Sequence, residues 1–302
     1  MPHALGPTDF TCTALRSVDL VVPDLDRGVS FYTEVWGLVE SGRGNGTIYL
    51  RGAGHDPYLV SLRHGPAPAV AGVAYRVAET TDLATLRDRV LAAGATLEED
   101  IGPRPEFGGG TGFTVRDVSG RRLLLMQGDA LQPPLADLAL RPVRLAHVNI
   151  NCSDIAREIR FYEEGLGFQL TDLSSLMGFL RTNGDHHAVV LANETVDTLN
   201  HIAFLHDTLE AVMKAGGKMC DAGYPVAWGP GRHGPGDNVF LYFLDPFGFV
   251  IEHTAEVLVI DEHFRFRGPE DWVWPPGRTD QWGIAPPKGA DCKRAQRAIP
   301  FI

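Results

Sequence analysis

Two histidines and a glutamate in the second half of the chain are of the types that bind metals: His147 in LAHVNI, His201 in NHIAF and Glu252 in FVIEH. Each stands in a stretch with the alternating apolar pattern of a strand, where inward side chains recur every second residue. Leu145, His147 and Asn149 therefore share a face, as do His201 and Ala203. Glu252 follows Val250 and Ile251 in a segment that reads as buried. Burial without a partner favours the neutral carboxyl, so a cation is expected to hold Glu252 ionised. Two imidazoles and a carboxylate on one face of a metal leave positions open for substrate and dioxygen. That set suits non-haem Fe(II), with Mn(II) as the alternative. Structural zinc would need four closed ligands, commonly including sulfur.

The elements that carry these residues occur twice. LRSVDLVVPDLDRGVSFYTEVWGL (15–38) lies over LAHVNINCSDIAREIRFYEEGLGF (145–168) at an offset of 130. YLRGAGHDPYLVSL (49–62) lies over FLRTNGDHHAVVLA (179–192) at the same offset. GVAYRV (72–77) lies over HIAFLH (201–206), and VRDVSGRRLLL (115–125) over FLDPFGFVIEH (243–253), with slips of one or two residues. On this alignment His147 corresponds to Ser17, His201 to Gly72 and Glu252 to Leu124. The scaffold alone does not demand the metal-ligand types, because its sister copy lacks all three.

Each copy reads as a strand, an Asp-started helix ending in Gly, strands with glycine turns, then a strand, a second helix and a closing hairpin. This predicts an α+β protein of four βαβββ modules, two per half. The expected division is a non-catalytic domain over 1–130, a metal-binding domain over 140–256 and a tail over 257–302. QGDALQPPLADLALRP (127–142) is the linker, and the Trp-, Pro- and Arg-rich tail is expected to cover the surface or a neighbouring subunit.

At this point the sequence resembles the type I extradiol ring-cleaving dioxygenases of the vicinal oxygen chelate superfamily. Their signature is met in Gly231-Arg232-His233, then Leu241-Tyr242, Asp245-Pro246-Phe247-Gly248 and Glu252. The resemblance implies that the modules pair into two vicinal-oxygen-chelate barrel-like domains, with His147, His201 and Glu252 as metal ligands. It further implies that His187, the second histidine of NGDHHAVV, is the acid–base residue. His233 and Tyr242 would hydrogen-bond the bound substrate oxygens. Taken singly, His187 reads as a strand-edge histidine and Tyr242 as a half-buried aromatic. The implied reaction inserts both atoms of O2 into a catechol-type diol and breaks the ring beside the two hydroxyls. Other chemistry on the same metal site, such as hydroquinone cleavage or glyoxalase-like isomerisation, is one alternative. A metal-free binding protein of the bleomycin-resistance kind is another.

Composition narrows the partners. A formal net charge of −11, spread along the chain, argues against nucleic acid or an anionic membrane. The N-terminus lacks the basic start and apolar core of a signal peptide, and no stretch approaches the roughly 20 apolar residues of a membrane span. Four scattered cysteines (Cys12, Cys152, Cys220, Cys292) suit free thiols in a reducing cytoplasm. The expected partners are a small aromatic diol, O2 and further copies in a homo-oligomer. The glycine runs GRGNGT (42–47) and FGGGTG (107–112) lead into strands and read as hairpin turns rather than phosphate cradles. Asp237 and Asn238 are explained equally by turn chemistry or by substrate contact. Arg265 and Arg267 read as a solvated surface pair rather than an anchor for an anionic substrate tail, and the tail tryptophans as a pocket wall or an oligomer seam.

Overall fold

The structure, a computed structural model, describes residues 10–136 and 141–302. The start of the N-terminal stretch and linker positions 137–140 lie outside the described residues. The first half runs β1 (Cys12–Val22), α1 (Leu25–Ser30), β2 (Val39–Gly44), β3 (Thr47–Arg51), β4 (Val60–His64), then β5 (Ala69–Val77), α2 (Leu83–Ala92), β6 (Thr96–Pro103), β7 (Thr111–Arg116), β8 (Arg122–Gln127). The second half repeats this order. It runs β9 (Arg144–Cys152), α3 (Ile155–Arg160), β10 (Gln169–Leu173), β11 (Met177–Arg181), β12 (Val189–Asn193), then β13 (Thr198–Leu205), α4 (Leu209–Asp221), β14 (Trp228–Arg232), β15 (Val239–Leu244), β16 (Val250–Ala255). The tail adds α5 (Ala290–Ala295) and β17 (Ile299–Pro300). The four expected βαβββ modules are present.

Each half builds one sheet. The first has the order β2-β3-β4-β1-β5-β8-β7-β6, and the second β10-β11-β12-β9-β13-β16-β15-β14 with β17 joined to β13. In both, the two modules meet through the antiparallel central pair, β1 with β5 and β9 with β13. The side-chain oxygens of Asp24, Asp82, Asp154 and Thr208 each accept an N–H in the first turn of their helix, as the sequence pattern predicts.

Two local features differ from the sequence reading. The first helix of each half is not uniformly α: it passes into a π turn at Phe31–Val35 and at Phe161–Gly165. The wider turn places two adjacent aromatics, Phe31–Tyr32 and Phe161–Tyr162, on the buried side. The second difference is one of register. Val60 pairs with Val18, whereas Val189 pairs with Val148. The offset between copies therefore shortens by one residue in the loop before β4, and the counterpart of His187 is Tyr58 rather than Pro57. The other three correspondences hold. Ser17 and His147 face Ala74 and Ala203, and these face Leu124 and Glu252 in turn.

The halves share a core that includes Trp36, Tyr75, Tyr162 and Ile251. The Asp-Pro-Phe-Gly turn is part of the seam. Asp245 Oδ1 accepts the N–H groups of Phe247 (2.8 Å) and Phe249 (2.9 Å), and Oδ2 accepts the hydroxyl of Tyr32 at 3.0 Å. Burial pushes the Asp245 carboxyl up from 3.8 to about 7, outweighing these donors. Below the unfolded value, folded and unfolded chains both hold the proton and this stabilisation is fully present. It is lost as pH rises through the folded value, where the buried group must ionise. Asp245→Asn stays neutral and is expected to gain on the order of 2 kcal/mol relative to the parent between about pH 5 and pH 8. Urea unfolding at the two pH values measures this; an equal parent–variant difference at both would refute it.

The tail does more than cover the surface. Val259 bridges to Asp185, Arg267 bridges to Asp172, and β17 pairs with β13, so it lies along the second sheet at several points. No helix among the described residues is long and apolar enough to cross a membrane.

Candidate metal centre and cavity

The second sheet curls around a cavity of about 280 Å3. One row of side chains crosses its inner face, because the registers align His147 on β9, Ala203 on β13, Glu252 on β16 and Tyr242 on β15. His201 lies in the neighbouring row, opposite Asn149. The small side chain of Ala203 leaves the space between His147 and Glu252 open. In the first half the equivalent row reads Ser17, Ala74, Leu124 and Thr114, which offers no imidazole or carboxylate.

Three of the residues expected from sequence converge. His147 Nε2 is 3.0 Å from His201 Nε2, and Glu252 Oε2 is 3.3 Å from the first and 3.1 Å from the second. All three residues are buried. Burial pushes the His147 imidazole down to about 3 and that of His201 to about 4, the latter against the pull of Glu252. Both rings are thus neutral, the form that offers a lone pair to a metal. His201 is also oriented: its Nδ1–H donates to Asn200 Oδ1 at 2.9 Å, leaving Nε2 bare. Asn200 Oδ1 is fixed as an acceptor because Gln296 Nε2 also donates to it at 2.6 Å, while its own amide donates to Asn151 Oδ1 at 2.9 Å. Glu252 Oε2 receives no hydrogen bond among the described residues.

Electron-rich atoms therefore face one another at a buried point, an arrangement that a cation relieves. Their spacing also fits. Neighbouring corners of an octahedron with bonds of about 2.1 Å lie about 3.0 Å apart. The donor set, two imidazoles and one carboxylate, suits a divalent transition metal with open positions.

The remaining expected residues surround this point. The His187 ring lies 4.5 Å from that of His147. His233 Nε2 is 3.1 Å from the Tyr242 hydroxyl, which is itself 3.4 Å from His201 Nε2. Burial, with Glu252 adding to it, holds the Tyr242 phenol well above its usual range, so it stays protonated and donates. Asn238 reaches inward to Glu252 Oε1 at 3.4 Å and Thr254 Oγ1 at 2.8 Å, while Asp237 occupies a left-handed turn position with φ 52°.

Of the two readings of the tail tryptophans, pocket wall or oligomer seam, the structure shows the first, while the parts played by Lys288, Gln296 and Arg267 had no reading in the sequence. Trp272 and Trp274 line the cavity, as do Met177 and Phe179 from β11. Lys288 lies 4.3 Å above the Trp228 ring, donates to Gln296 Oε1 at 2.9 Å and also lines the cavity. Arg267, expected on a solvated surface, instead holds the buried carboxylate of Asp172. Only the tryptophans gave a sequence signal, since large aromatics in an aperiodic tail must pack against something.

Comparison with known proteins agrees with the duplicated architecture. The family model described as Glyoxalase/Bleomycin resistance protein/Dioxygenase superfamily matches residues 14–125 and 144–253, the two copies read from the sequence. The chain belongs to that superfamily. Among similar members is Metapyrocatechase 2 of Cupriavidus necator, 29% identical over 67% of this chain and 68% of that protein. A manganese-dependent 2,3-dihydroxybiphenyl 1,2-dioxygenase of Geobacillus genomosp. 3 is 24% identical over 76% of this chain and 80% of its own length. The Mn(II)-bound glyoxalase from Novosphingobium aromaticivorans superposes with a TM-score of 0.87 at 28% identity, covering 93% of this chain and 94% of that one. This superfamily member thus has the expected fold, two domains of paired modules.

Proposed function

We propose that the protein is an extradiol dioxygenase that opens a catechol-type ring with both atoms of O2, using Fe(II), with Mn(II) as the alternative, held by His147, His201 and Glu252. The convergence of those three donors within 3.3 Å in one half, against Ser17, Gly72 and Leu124 in the other, carries the reading. The dioxygenases among its relatives, one of them manganese-dependent, support it.

A divalent cation bound there would act as a Lewis acid on the diol oxygens and as a route for electrons between diol and dioxygen. The chain's own groups do the rest. His187, on the cavity wall, takes a proton from one diol hydroxyl. Tyr242 and His233, in contact with one another, hydrogen-bond the oxygen left behind. The Lys288 ammonium adds positive charge beside the site and favours the ionised diol. Trp228, Trp272 and Trp274 wall the cavity against water. The first half serves as scaffold and assembly surface in a homo-oligomer, with 1–130, 140–256 and 257–302 as the working division. Free Cys12, Cys152, Cys220 and Cys292 favour a cytoplasmic setting.

A second reading has its own support. The solved relative with a TM-score of 0.87 is a glyoxalase, so isomerisation of a chelated pair of oxygens is the alternative on the same donors. Protein loaded anaerobically with Fe(II) and mixed with a panel of catechols is expected to consume dioxygen and form yellow ring-opened products. Metal-loaded protein that takes up no dioxygen with any diol would overturn the dioxygenase reading.

A further inference from the structure

His187 is the inner end of a buried chain. Its Nδ1 lies 3.0 Å from Nδ1 of His186, and His186 Nε2 lies 2.8 Å from Asp172 Oδ2. Asp172 and His186 are 0% exposed and His187 is 3% exposed. From the far side, Arg267 of the tail donates its backbone N–H (3.0 Å) and Nε (3.3 Å) to Asp172 Oδ1, and its Nη2 (2.9 Å) to Oδ2.

These contacts fix the direction of every hydrogen bond. A carboxylate paired with a guanidinium only accepts, so the proton facing it belongs to His186 Nε2. Burial keeps His186 neutral, and a neutral imidazole has one N–H. His186 Nδ1 is therefore an acceptor, and the donor facing it must be His187 Nδ1–H. Neutral His187 then carries its lone pair on Nε2, at the other end of the ring. Gly236 (φ +82°) packs against this ring: a Cβ there would sit 2.6 Å from His187 Cε1, so only glycine leaves room for the imidazole in this position.

We propose that Asp172 and His186 are positioning residues that hold His187 in the tautomer with a bare Nε2 toward the cavity, and that Arg267 locks Asp172 in that task. Use of this nitrogen rests on the dioxygenase reading: the diol proton moves to Nε2 while the Nδ1 proton stays in its bond to His186. The tautomer itself does not depend on that reading. The Asp-to-His-to-His order turns the charge of a carboxylate remote from the cavity into a defined proton acceptor within it.

The test reads the protons directly. In the full chain labelled with 15N-histidine and loaded with diamagnetic Zn(II), long-range 1H–15N spectra are expected to show His186 protonated on Nε2 and His187 on Nδ1. A His187 that carries its proton on Nε2 overturns the proposal, whatever the protein catalyses. Asp172→Asn presents an amide N–H to His186 and should invert both tautomers. Its kcat is then expected to fall about 10²–10⁴-fold with KM within about threefold. In a His187→Phe background the same change should cost less than about twofold, because the relay has nothing left to orient. Losses that multiply in the double variant would point to a merely structural role and reject the relay.

Discussion

Replacing His201 with alanine is expected to strip the protein of bound metal and reduce diol turnover by at least about 10³-fold. Loss of an outer-sphere partner alone typically costs about 10–100-fold in metal affinity, and here a donor itself disappears. The remaining pair, His147 Nε2 and Glu252 Oε2 at 3.3 Å, can offer only two protein donors to an ion. Thermal melting gives a readout independent of turnover. A metal that binds only the folded state stabilises it by about 2.7 kcal/mol at 100 times its dissociation constant. The parent should show that gain when metal is titrated in, and the variant should not. Wild-type metal affinity in His201→Ala would remove the basis for the centre.

Replacing His187 with phenylalanine is expected to leave the metal in place and slow turnover by about 10²–10⁴-fold, the usual contribution of a general acid or base. His187 is turned toward His186 through Nδ1, and the converging donor atoms are those of His147, His201 and Glu252. A phenyl ring fills the same space against Phe179, whose ring centroid is 5.5 Å away. Removal of the partner of buried His186 Nδ1 should also cost about 1–3 kcal/mol of stability. Elemental analysis and anaerobic diol binding near parental values, with turnover lost, would separate proton transfer from metal binding. Unchanged turnover would mean that another group moves the proton.

The row across the second sheet was legible because the chain carries its own control. Ser17, Gly72 and Leu124 mark what the scaffold tolerates when no ion is bound, so His147, His201 and Glu252 stand out against them. Strand periodicity put His147 with Asn149 and His201 with Ala203 on shared faces and Glu252 in a buried strand; the pairing of His147 with Ala203 and of Ala203 with Glu252 is seen only in the ladders. His233 and Tyr242 were found through a local motif in a single hairpin. The relay and the Asn200 brace had no comparable signal. Arg267 meets Asp172 across 95 residues and Gln296 meets Asn200 across 96, both from a segment without periodicity. The one-residue slip at His187 was invisible for a related reason: loop length between strands is not specified by the hydrophobic pattern, only by the ladder on either side. The π turns escaped because the same apolar spacing serves an α-helix over so few residues.

The braces that come from the tail make side-chain orientation at the cavity a long-range property of the fold. A chain cut before Gln296 would keep His147, His201 and Glu252 but lose the amide that donates to Asn200 Oδ1, the acceptor for His201 Nδ1–H. A chain cut before Arg267 would also lose the guanidinium that holds Asp172 against His186.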